Sequence, residues 1–392
     1  MSEWTCQLPI YNGPPMQRPL QKIKVLDLSR ILAGPFATQL LADLGAEVIK
    51  VEPPDGDPTR GWGPPFEDGD PSHPFGGESA YFRCANRGKT SKVLDLHSKE
   101  GRQRLAEMIK EADVLVENFL PDSAERLGLN WAKFHATFPR VILASIRGFA
   151  PDVKAARRAG YDFILQAESG WMSITGEPGG RPMKVGVALV DVLAALYCAN
   201  GIQAALLHRE RTGEALHVMV PLMEAALAGL VNVGSGTLMT GRAPERHGNA
   251  HGQIVPYQTF PCADGEVAIG VGSDKQFEIL ALWLGLPLEE HPHWRLNRGR
   301  VEDRERLVGF IEAALTTHSV EEIVRFCDQN TIPASHVRTV DEVLFRKAGD
   351  LHHLIQPLLE PETGRMVPTL ASPVLLNGER ACAKLPPPRW KA

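Results

Sequence analysis

Cysteine pairs are missing from this sequence. Its six cysteines are scattered, with no Cys-x-x-Cys motif and no spacing typical of a zinc site. We therefore predict reduced thiols in a cytoplasmic protein. The opening residues, MSEWTCQLPIYNGPPMQRPL, also lack the apolar core of a signal peptide and the Arg-rich pattern of a transit peptide. We expect this segment to be coil that leads into the first strand.

An excess of positive charge is missing too. The chain has 42 Lys and Arg against 47 Asp and Glu, a net charge of -5, which gives no general attraction to nucleic acid or anionic lipid. Low-complexity tracts and internal repeats are also absent. The composition is that of an ordinary globular protein, and 392 residues exceed one simple core, so we predict two domains.

Long apolar runs are rare, and only residues 185–207 could cross a membrane by length. Asp191 is the one charged residue of this run, and Asn200 and Gln203 add polarity. A carboxylate near the middle of a span costs about 2.5–3.5 kcal/mol on insertion scales. We therefore interpret the run as a helix buried in protein and expect no membrane partner.

Strand and helix patterns alternate over the first 150 residues. IKVLDL, AEVIKVE, KVLDL, DVLVENF and RVILASIRGF are typical of buried strands, and PFATQLLADLG, KEGRQRLAEMIKEA and PDSAERLGL of helices. Such β-loop-α-β units build parallel sheets that bind ligands at the carboxyl ends of the strands. The first turn, SRILAGP, lacks the G-x-G-x-x-G fingerprint. We predict an open Rossmann-like α/β domain that does not bind NAD.

A smaller α+β domain is predicted downstream. PLMEAALAGLVNVGSGTLM is typical of one helix, and HGNAHGQIVPYQTFPCADGEVAIGVGS of a small antiparallel sheet with a D-G turn. VEDRERLVGFIEAALTT and SVEEIVRFCDQN are amphipathic helix patterns. We assign residues 1–224 to the large domain, 225–340 to the small domain, and the Pro-rich residues 341–392 to a return onto the large domain.

Several of these segments together resemble the family III CoA-transferases, of the CaiB/BaiF type, over roughly residues 22–380. The similar segments are VLDLSRILAGPFATQLLADLGAEVIKVEPPDGDPTRGW, NRGKTSKVLDL, DVLVENF, LASIRGF and RAGYDFILQAESG. Within that family, HGNAHGQIVPYQTFPCADG and the surroundings of Asp191 are most similar to the succinyl-CoA:dicarboxylate transferases, including those that use glutarate. The resemblance implies transfer of CoA to a free acid and an interlocked homodimer.

Asp191 has two interpretations. In an arbitrary protein a lone carboxylate on a buried helix is more often a cap or half of an ion pair. By the resemblance, however, Asp191 falls on the family's nucleophile, after GEPGGRPMKVGVALVD at the start of a long helix. We expect the helix dipole and backbone N–H donors to keep it ionised. The chemistry then requires acyl-CoA and a carboxylic acid as substrates, and no metal or other cofactor.

The resemblance also implies residues around the substrates. Gly248 and Gly252 fall on a loop that covers the reacting groups, although a plain interdomain turn is the alternative. The positions that resemble CoA contacts, each at or just beyond a strand end, are Ile31, Leu32, Ala33, Lys89, Asn118, Phe119, Arg126, Leu127 and Arg147. Candidate cations for the remote carboxylate of a diacid are Arg83, Arg157, Arg158 and Arg181.

The same resemblance is compatible with other functions. α-Methylacyl-CoA racemases have this fold and bind CoA, but they exchange a proton through an Asp and a His. Their branch typically has Gly before the Asp, where this chain has Val190, which favours the transferase. A formyl-CoA or carnitine type of transferase and a non-catalytic acyl-CoA-binding scaffold are further alternatives.

Three histidine pairs suggest a metal site at first sight: His247 with His251, His291 with His293, and His352 with His353. None has a carboxylate at ligand spacing within a helix. We therefore predict no metal.

Overall fold

A computed structural model of the protein describes residues 17–67, 77–345 and 354–390. The expected N-terminal coil and the pair His352 and His353 lie outside the described residues. The chain divides into two compact units, the first formed by Met1–Trp171, Lys184–Arg242 and Asp350–Ala392, and the second by Met172–Met183 and Ala243–Gly349. The first unit therefore extends beyond residue 224, the boundary drawn from the sequence.

The chain begins the first unit with alternating elements. In order these are β1 (Lys24–Asp27), α1 (Ala33–Asp43), β2 (Glu47–Glu52), β3 (Phe66–Glu67), β4 (Glu78–Ser79), α2 (Ala80–Arg83), β5 (Lys89–Val93), α3 (Lys99–Lys110), β6 (Val114–Glu117), α4 (Pro121–Arg126), α5 (Trp131–Thr137), β7 (Ile142–Arg147) and α6 (Asp162–Glu168). They are followed by α7 (Trp171–Ile174), which apart from Trp171 belongs to the second unit, and then by α8 (Leu189–Thr212), β8 (His217–Pro221), α9 (Leu222–Ala228) and α10 (Val231–Thr240) of the first unit.

The remaining elements form the second unit and the return to the first. The second unit contains β9 (Tyr257–Pro261), β10 (Glu266–Gly270), α11 (Asp274–Trp283), α12 (Asn297–Glu302), α13 (Arg304–Leu315), α14 (Val320–Gln329), β11 (Ala334–His336) and α15 (Val340–Phe345). The final segment contains β12 (Ile355–Leu359), β13 (Met366–Leu370), β14 (Leu375–Leu376) and β15 (Glu379–Arg380). Short 3-10 turns occupy Pro58–Gly61 and Pro292–Arg295.

A six-stranded sheet forms the centre of the first unit, in the order β5-β2-β1-β6-β7-β8. All neighbouring strands in it are parallel. Counted along the chain, these six strands have the order 3-2-1-4-5-6, the arrangement typical of Rossmann folds. The predicted α/β architecture with a central parallel sheet is confirmed. One strand lies earlier than predicted, because β5 pairs Lys89–Val93 with β2 where KVLDL was expected.

Apolar residues alternate across this sheet and build a core on each face. Val25 and Val114 pack with helices α1, α8 and α9, whereas their neighbours Leu26 and Leu115 pack on the other side with α3. Successive side chains of a strand point to opposite faces, so continuous apolar runs such as these require cover on both sides. The sheet is therefore doubly wound.

Helix α8 packs along one face of the sheet against α1. It is the one described helix that is long and apolar enough to cross a membrane. Half of its most apolar 18-residue stretch is buried inside the protein. The helix ends at Gly213, whose φ of 81° provides the left-handed cap that favours glycine. The predicted buried helix is thus present, and it belongs to the core of the first unit.

The helix predicted from PLMEAALAGLVNVGSGTLM is wrong in one respect, because the segment forms two helices. α9 and α10 meet at a bend of 78°. Val231 follows the break with a φ of 36°, a conformation that β-branched residues rarely adopt. Gly229 and Leu230, between the two helices, mark the site of the bend.

The second unit contains the antiparallel sheet β11-β10-β9, with the D-G turn at Asp264 and Gly265 between β9 and β10. α14 begins with a capping box between Ser319 and Glu322. The helix predicted from VEDRERLVGFIEAALTT is interrupted at Asp303, which separates α12 from α13. Helices α11, α13 and α14 cover the sheet with the apolar core of this unit.

The final segment returns to the first unit. β12 and β13 form a hairpin, and β14 and β15 another. Beyond them, Ala383 N donates to Asp43 Oδ1 at 3.0 Å, Gly88 N donates to Leu385 O at 2.8 Å, and Arg60 Nη2 donates to Pro388 O at 3.1 Å. Residues 383–388 are therefore hydrogen-bonded to α1, to the turn before β5 and to the turn after β2.

Candidate active site

A cavity of about 330 Å³ opens in the first unit beyond the carboxyl ends of β1, β6 and β7. The order of the parallel sheet places ligands at this edge, where loops leave neighbouring strands in opposite directions. Residues from seven parts of the chain line it: Arg30, Ile31, Leu32, Ala33, Pro58, Asn118, Phe119, Leu120, Pro121, Ile146, Arg147, Gly148, Ala156, Arg158, Ala159, Gly160, Tyr161, Asp191 and Leu222. Seven predicted catalytic or CoA-contact residues are among them: Ile31, Leu32, Ala33, Asn118, Phe119, Arg147 and Asp191. Arg158, a candidate cation for the remote carboxylate, lines the cavity too.

Asp191 lies in the first turn of α8 and is only 8% exposed. Among the described residues, none donates a hydrogen bond to its carboxylate or forms an ion pair with it. Burial, together with the nearby charge of Asp162, raises the pKa of Asp191 to about 7. Burial and the charge of Asp162 therefore act against the ionisation that was expected from the helix terminus, and protonated and ionised Asp191 coexist near neutral pH.

Asp162 fixes the entry into α8. Its Oδ1 accepts from Val190 N at 2.8 Å, and its Oδ2 accepts from Gln166 Nε2 at 2.7 Å. Gln166 Oε1 in turn accepts from Val185 N at 2.8 Å. A free N–H at the start of the helix is thus satisfied by Asp162 rather than by Asp191. Two carboxylates share this corner of the fold, and their repulsion favours protonation of the buried one.

Tyr81 is a neighbour of Asp191 that the sequence did not indicate. Burial and the charge of Asp191 raise the pKa of this phenol to about 12. Tyr81 therefore keeps its proton at neutral pH, and its hydroxyl can donate a hydrogen bond as well as accept one. Its ring packs edge-on against Trp62 at 5.0 Å between centroids.

Asn118 has a role within the protein. Its Oδ1 accepts from Arg30 N at 2.9 Å and its Nδ2 donates to Arg30 O at 2.7 Å. The amide thus binds the first loop through the backbone N–H and C=O of one residue, Arg30. Ile31, the next residue, has a φ of 72°, which is a strained conformation for a β-branched side chain. Asn118 lines the cavity, but its amide is engaged by the loop.

Lys89 lies away from this cavity's lining. It is 1% exposed, and its ammonium donates to Asp27 Oδ2 at 2.9 Å, to Pro35 O at 2.8 Å and to Asn86 Oδ1 at 2.9 Å. Burial would raise the pKa of Asp27, but Lys89 and Lys50 outweigh it and lower that pKa to about 2. All three donors of Lys89 are used inside the protein, which leaves none for a CoA phosphate.

Of three further residues predicted to contact CoA, one lines the cavity and two do not. Arg147 lines the cavity and forms a two-point pair with Glu117, with distances of 2.8 and 2.6 Å. Arg126 is exposed at the end of α4, where it donates to Ser123 Oγ at 2.9 Å. Leu127 packs against the apolar core beneath α3. Arg126 and Leu127 are not among the residues that line the cavity.

Gly248 and Gly252 lie in the second unit. Gly248 has a φ of 58°, which favours glycine, and its N–H donates to Gly176 O at 3.1 Å. Gly252 O accepts from Arg304 Nη2 at 3.0 Å. Both glycines therefore belong to a loop that is held within its own unit.

One histidine pair does meet a carboxylate. His291, His293 and Asp303 offer ligand atoms that all lie within 4.8 Å of one another. Asp303 comes from the break between α12 and α13, a position that sequence spacing did not reveal. Its Oδ2 already accepts from Trp294 Nε1 at 2.9 Å. The group lies in the second unit, and the interaction with Trp294 accounts for the position of Asp303.

Comparison with known proteins defines the class. Residues 20–391 match CoA-transferase family III. Over 366 residues the chain is 38% identical to a succinate–glutarate CoA-transferase of Agrobacterium fabrum, covering 93% of this chain and 91% of that relative. A human succinyl-CoA:glutarate CoA-transferase is 35% identical over 352 residues, covering 89% and 78%. A CAIB/BAIF family protein from Brucella suis has a crystal structure similar at a TM-score of 0.82, with 36% identity, covering 95% and 97%.

The chain belongs to CoA-transferase family III. It is an enzyme of that family, and the resemblance found in its sequence motifs is confirmed.

Proposed function

We propose that the protein transfers CoA from succinyl-CoA to a free dicarboxylate of the size of glutarate. The names of its relatives from Agrobacterium fabrum and human support this choice of substrates. The observation that carries the proposal is Asp191, a buried carboxylate without a partner among the described residues, in a cavity at the carboxyl edge of the sheet. Such a group is available for covalent chemistry because no structural contact occupies it.

The reaction follows from one carboxylate in four steps. Asp191 attacks the carbonyl of the acyl-CoA, and the CoA thiolate leaves as a mixed anhydride forms. The thiolate then attacks the side-chain carbonyl of Asp191, which releases the donor acid and leaves an aspartyl-CoA thioester. The acceptor carboxylate attacks this thioester and regenerates an anhydride and free thiolate. The thiolate attacks the acceptor carbonyl, and Asp191 is released as a carboxylate.

No proton, electron or metal is needed to balance these steps, which supports a mechanism without a cofactor. Burial of Asp191 also supports it, since water that reached the anhydride or the thioester would hydrolyse it. Over the complete reaction one thioester and one carboxylate are consumed, and one thioester and one carboxylate are formed.

Proton exchange of the racemase type is the alternative reaction. It requires a histidine opposite the aspartate. The described residues that line the cavity include none. We therefore favour acyl transfer.

The proposed function is tested with purified protein and succinyl-CoA. Incubation with the donor alone should give an enzyme-bound CoA thioester, which hydroxylamine converts to a hydroxamate at Asp191, detectable by peptide mass spectrometry. A panel of free acids should then show CoA transfer to glutarate and related diacids. Absence of both the adduct and the transfer would refute the proposed function.

The rate of acylation of Asp191 should depend on pH. Only the carboxylate attacks, and its pKa is raised to about 7, so protonation removes the nucleophile below that pH. We expect kcat/KM to rise about tenfold per pH unit below the midpoint and to level off above it.

Asp162→Asn tests the cause of this pH dependence. The amide oxygen still accepts from Val190 N, but the negative charge near Asp191 is removed. The midpoint of the kcat/KM profile should therefore move to lower pH. An unchanged midpoint in a folded variant would show that the charge of Asp162 does not act on Asp191.

We also propose that the enzyme is a homodimer in the cytoplasm. Apolar side chains remain exposed on α9 and α10, among them Leu227, Val231, Leu238 and Met239, of which Leu238 is 89% exposed. A surface of this kind is typical of a subunit interface. The described cysteines are free thiols, which fits a reducing compartment. Light scattering of the purified chain measures its oligomeric state directly.

A further inference from the structure

The cavity contains a cation that the four steps above do not use. Three arginines line it: Arg30, Arg147 and Arg158. Arg147 is paired at two points with Glu117, and Arg158 at two points with Glu168. Among the described residues, no carboxylate pairs with the Arg30 guanidinium and no acceptor takes a hydrogen bond from it. Arg30 is thus the surplus positive charge of the site.

None of the four arginines indicated by the sequence provides an unpaired guanidinium in this cavity. Three of the four have carboxylate partners: Arg83 pairs with Glu67, Arg157 with Asp122 and Arg158 with Glu168. The fourth, Arg181, is exposed in the second unit.

Arg30 is held in place before any substrate arrives. Asn118 binds its backbone N–H and C=O, and Lys50 Nζ donates to the preceding carbonyl, Ser29 O, at 2.9 Å. The guanidinium carbon lies 5.6 Å from the centroid of the Phe119 ring. A strained conformation at Ile31 follows directly, and such strain persists only where the surroundings enforce it. The loop therefore presents a half-buried cation from a fixed backbone.

The charge balance of the cavity changes during the reaction. Asp191 is the only acidic residue that lines the cavity within the described chain. It becomes a neutral anhydride or thioester as soon as it reacts, and the described lining of the cavity then has no acidic residue to balance Arg30. A partly desolvated cation without a counter-ion favours an anion from the substrate.

The size of the cavity indicates which anion. At about 330 Å³ it lies at the lower end of ligand-pocket volumes, large enough for a small diacid beside the sulfur end of CoA but not for a whole CoA molecule. Arg30 and Asp191 line the same small cavity, so an acyl group bound to Asp191 shares that space with Arg30.

We propose that Arg30 binds the remote carboxylate of the diacid and so selects dicarboxylic over monocarboxylic acyl groups. Donor and acceptor occupy the site in turn, so one cation serves both. This inference rests on the proposed function and adds a residue that determines the substrate class.

Arg30→Gln tests this proposal through the ratio of kcat/KM for a dicarboxylic and a monocarboxylic acyl-CoA. Rates of enzyme thioester formation are measured with succinyl-CoA and with butyryl-CoA, which has the same chain length without the second carboxylate. We expect kcat/KM for succinyl-CoA to fall roughly tenfold to a hundredfold, the effect of losing a hydrogen bond between charged groups. The value for butyryl-CoA should stay within about threefold, since no charged contact is lost. Arg104→Gln, an exposed arginine on α3, is the matched control and should leave both values unchanged.

Equal losses with both donors would overturn the proposal. They would assign Arg30 to a CoA phosphate, and 3′-dephospho-succinyl-CoA would then react equally with wild type and variant. If the wild type forms no thioester with any acyl-CoA, the proposed function has failed instead.

A second measurement uses the wild-type protein and so does not depend on folding of a variant. Phenylglyoxal should modify the unpaired Arg30, as mapped by mass spectrometry. Glutarate should protect it, whereas pentanoate and CoA alone should not. Protection by CoA alone, or none by glutarate, would contradict a carboxylate-binding role.

Discussion

Asp191→Asn should abolish CoA transfer, with kcat reduced by about four orders of magnitude or more, as for removal of other covalent nucleophiles. The amide keeps the size of the side chain but cannot form an anhydride. The enzyme-bound thioester should disappear from mass spectra of protein incubated with succinyl-CoA. The loss follows from the position of Asp191 as the acidic residue of the cavity lining.

The variant should be folded and more stable than wild type at alkaline pH. The pKa of Asp191 is raised in the folded protein, so its favourable contribution is present below the unfolded pKa and is lost as pH rises through about 7. Above that pH the wild type contains a buried, uncompensated carboxylate, and replacing it should increase the free energy of unfolding by about 2–4 kcal/mol. Retained transfer in a folded Asp191→Asn protein would eliminate the aspartyl mechanism.

Lys89→Met should lower the free energy of unfolding of the first unit by about 3–5 kcal/mol, the usual cost of breaking a buried ion pair by removing one partner. Asp27, which is fully buried, would lose its closest cation. Urea unfolding followed by tryptophan fluorescence measures the change. For the folded fraction, KM for succinyl-CoA should be unchanged, because the ammonium is used inside the protein.

The double variant Asp27→Asn, Lys89→Met is the matched control. It leaves no unpaired charge at this position and should recover part of the lost stability. Wild-type stability together with a raised KM in Lys89→Met would instead restore the CoA contact inferred from the sequence.

The sequence predicted the sheet well because each strand carries its own signal. Runs such as KVLD and ILASIR are apolar on both faces, and that pattern depends only on neighbouring residues. The long helix with Asp191 near its start was predicted for the same reason. Seven of the residues that the family resemblance indicated line one cavity in the structure.

The roles of polar side chains were harder to predict because they depend on partners distant in the chain. Lys89 was expected to bind CoA, but its ammonium forms a buried ion pair with Asp27. Asn118 was expected to contact the ligand, but it holds the backbone of Arg30. Arg30 itself was overlooked because nothing in SRILAGP shows which cations the fold leaves without a partner. The raised pKa of Asp191 depends on burial, which local sequence does not reveal.

The hydrogen bonds made by residues 383–388 affect how the enzyme is made. The first unit is interrupted by the second along the chain, and its helix α1 and the turns beside β2 and β5 are completed by backbone groups almost three hundred residues or more downstream. During synthesis on the ribosome, the early strands emerge long before these groups exist. Most of the second unit, from β9 to α15, is contiguous along the chain and is made before these groups, so it can finish folding while the first unit waits for the end of translation.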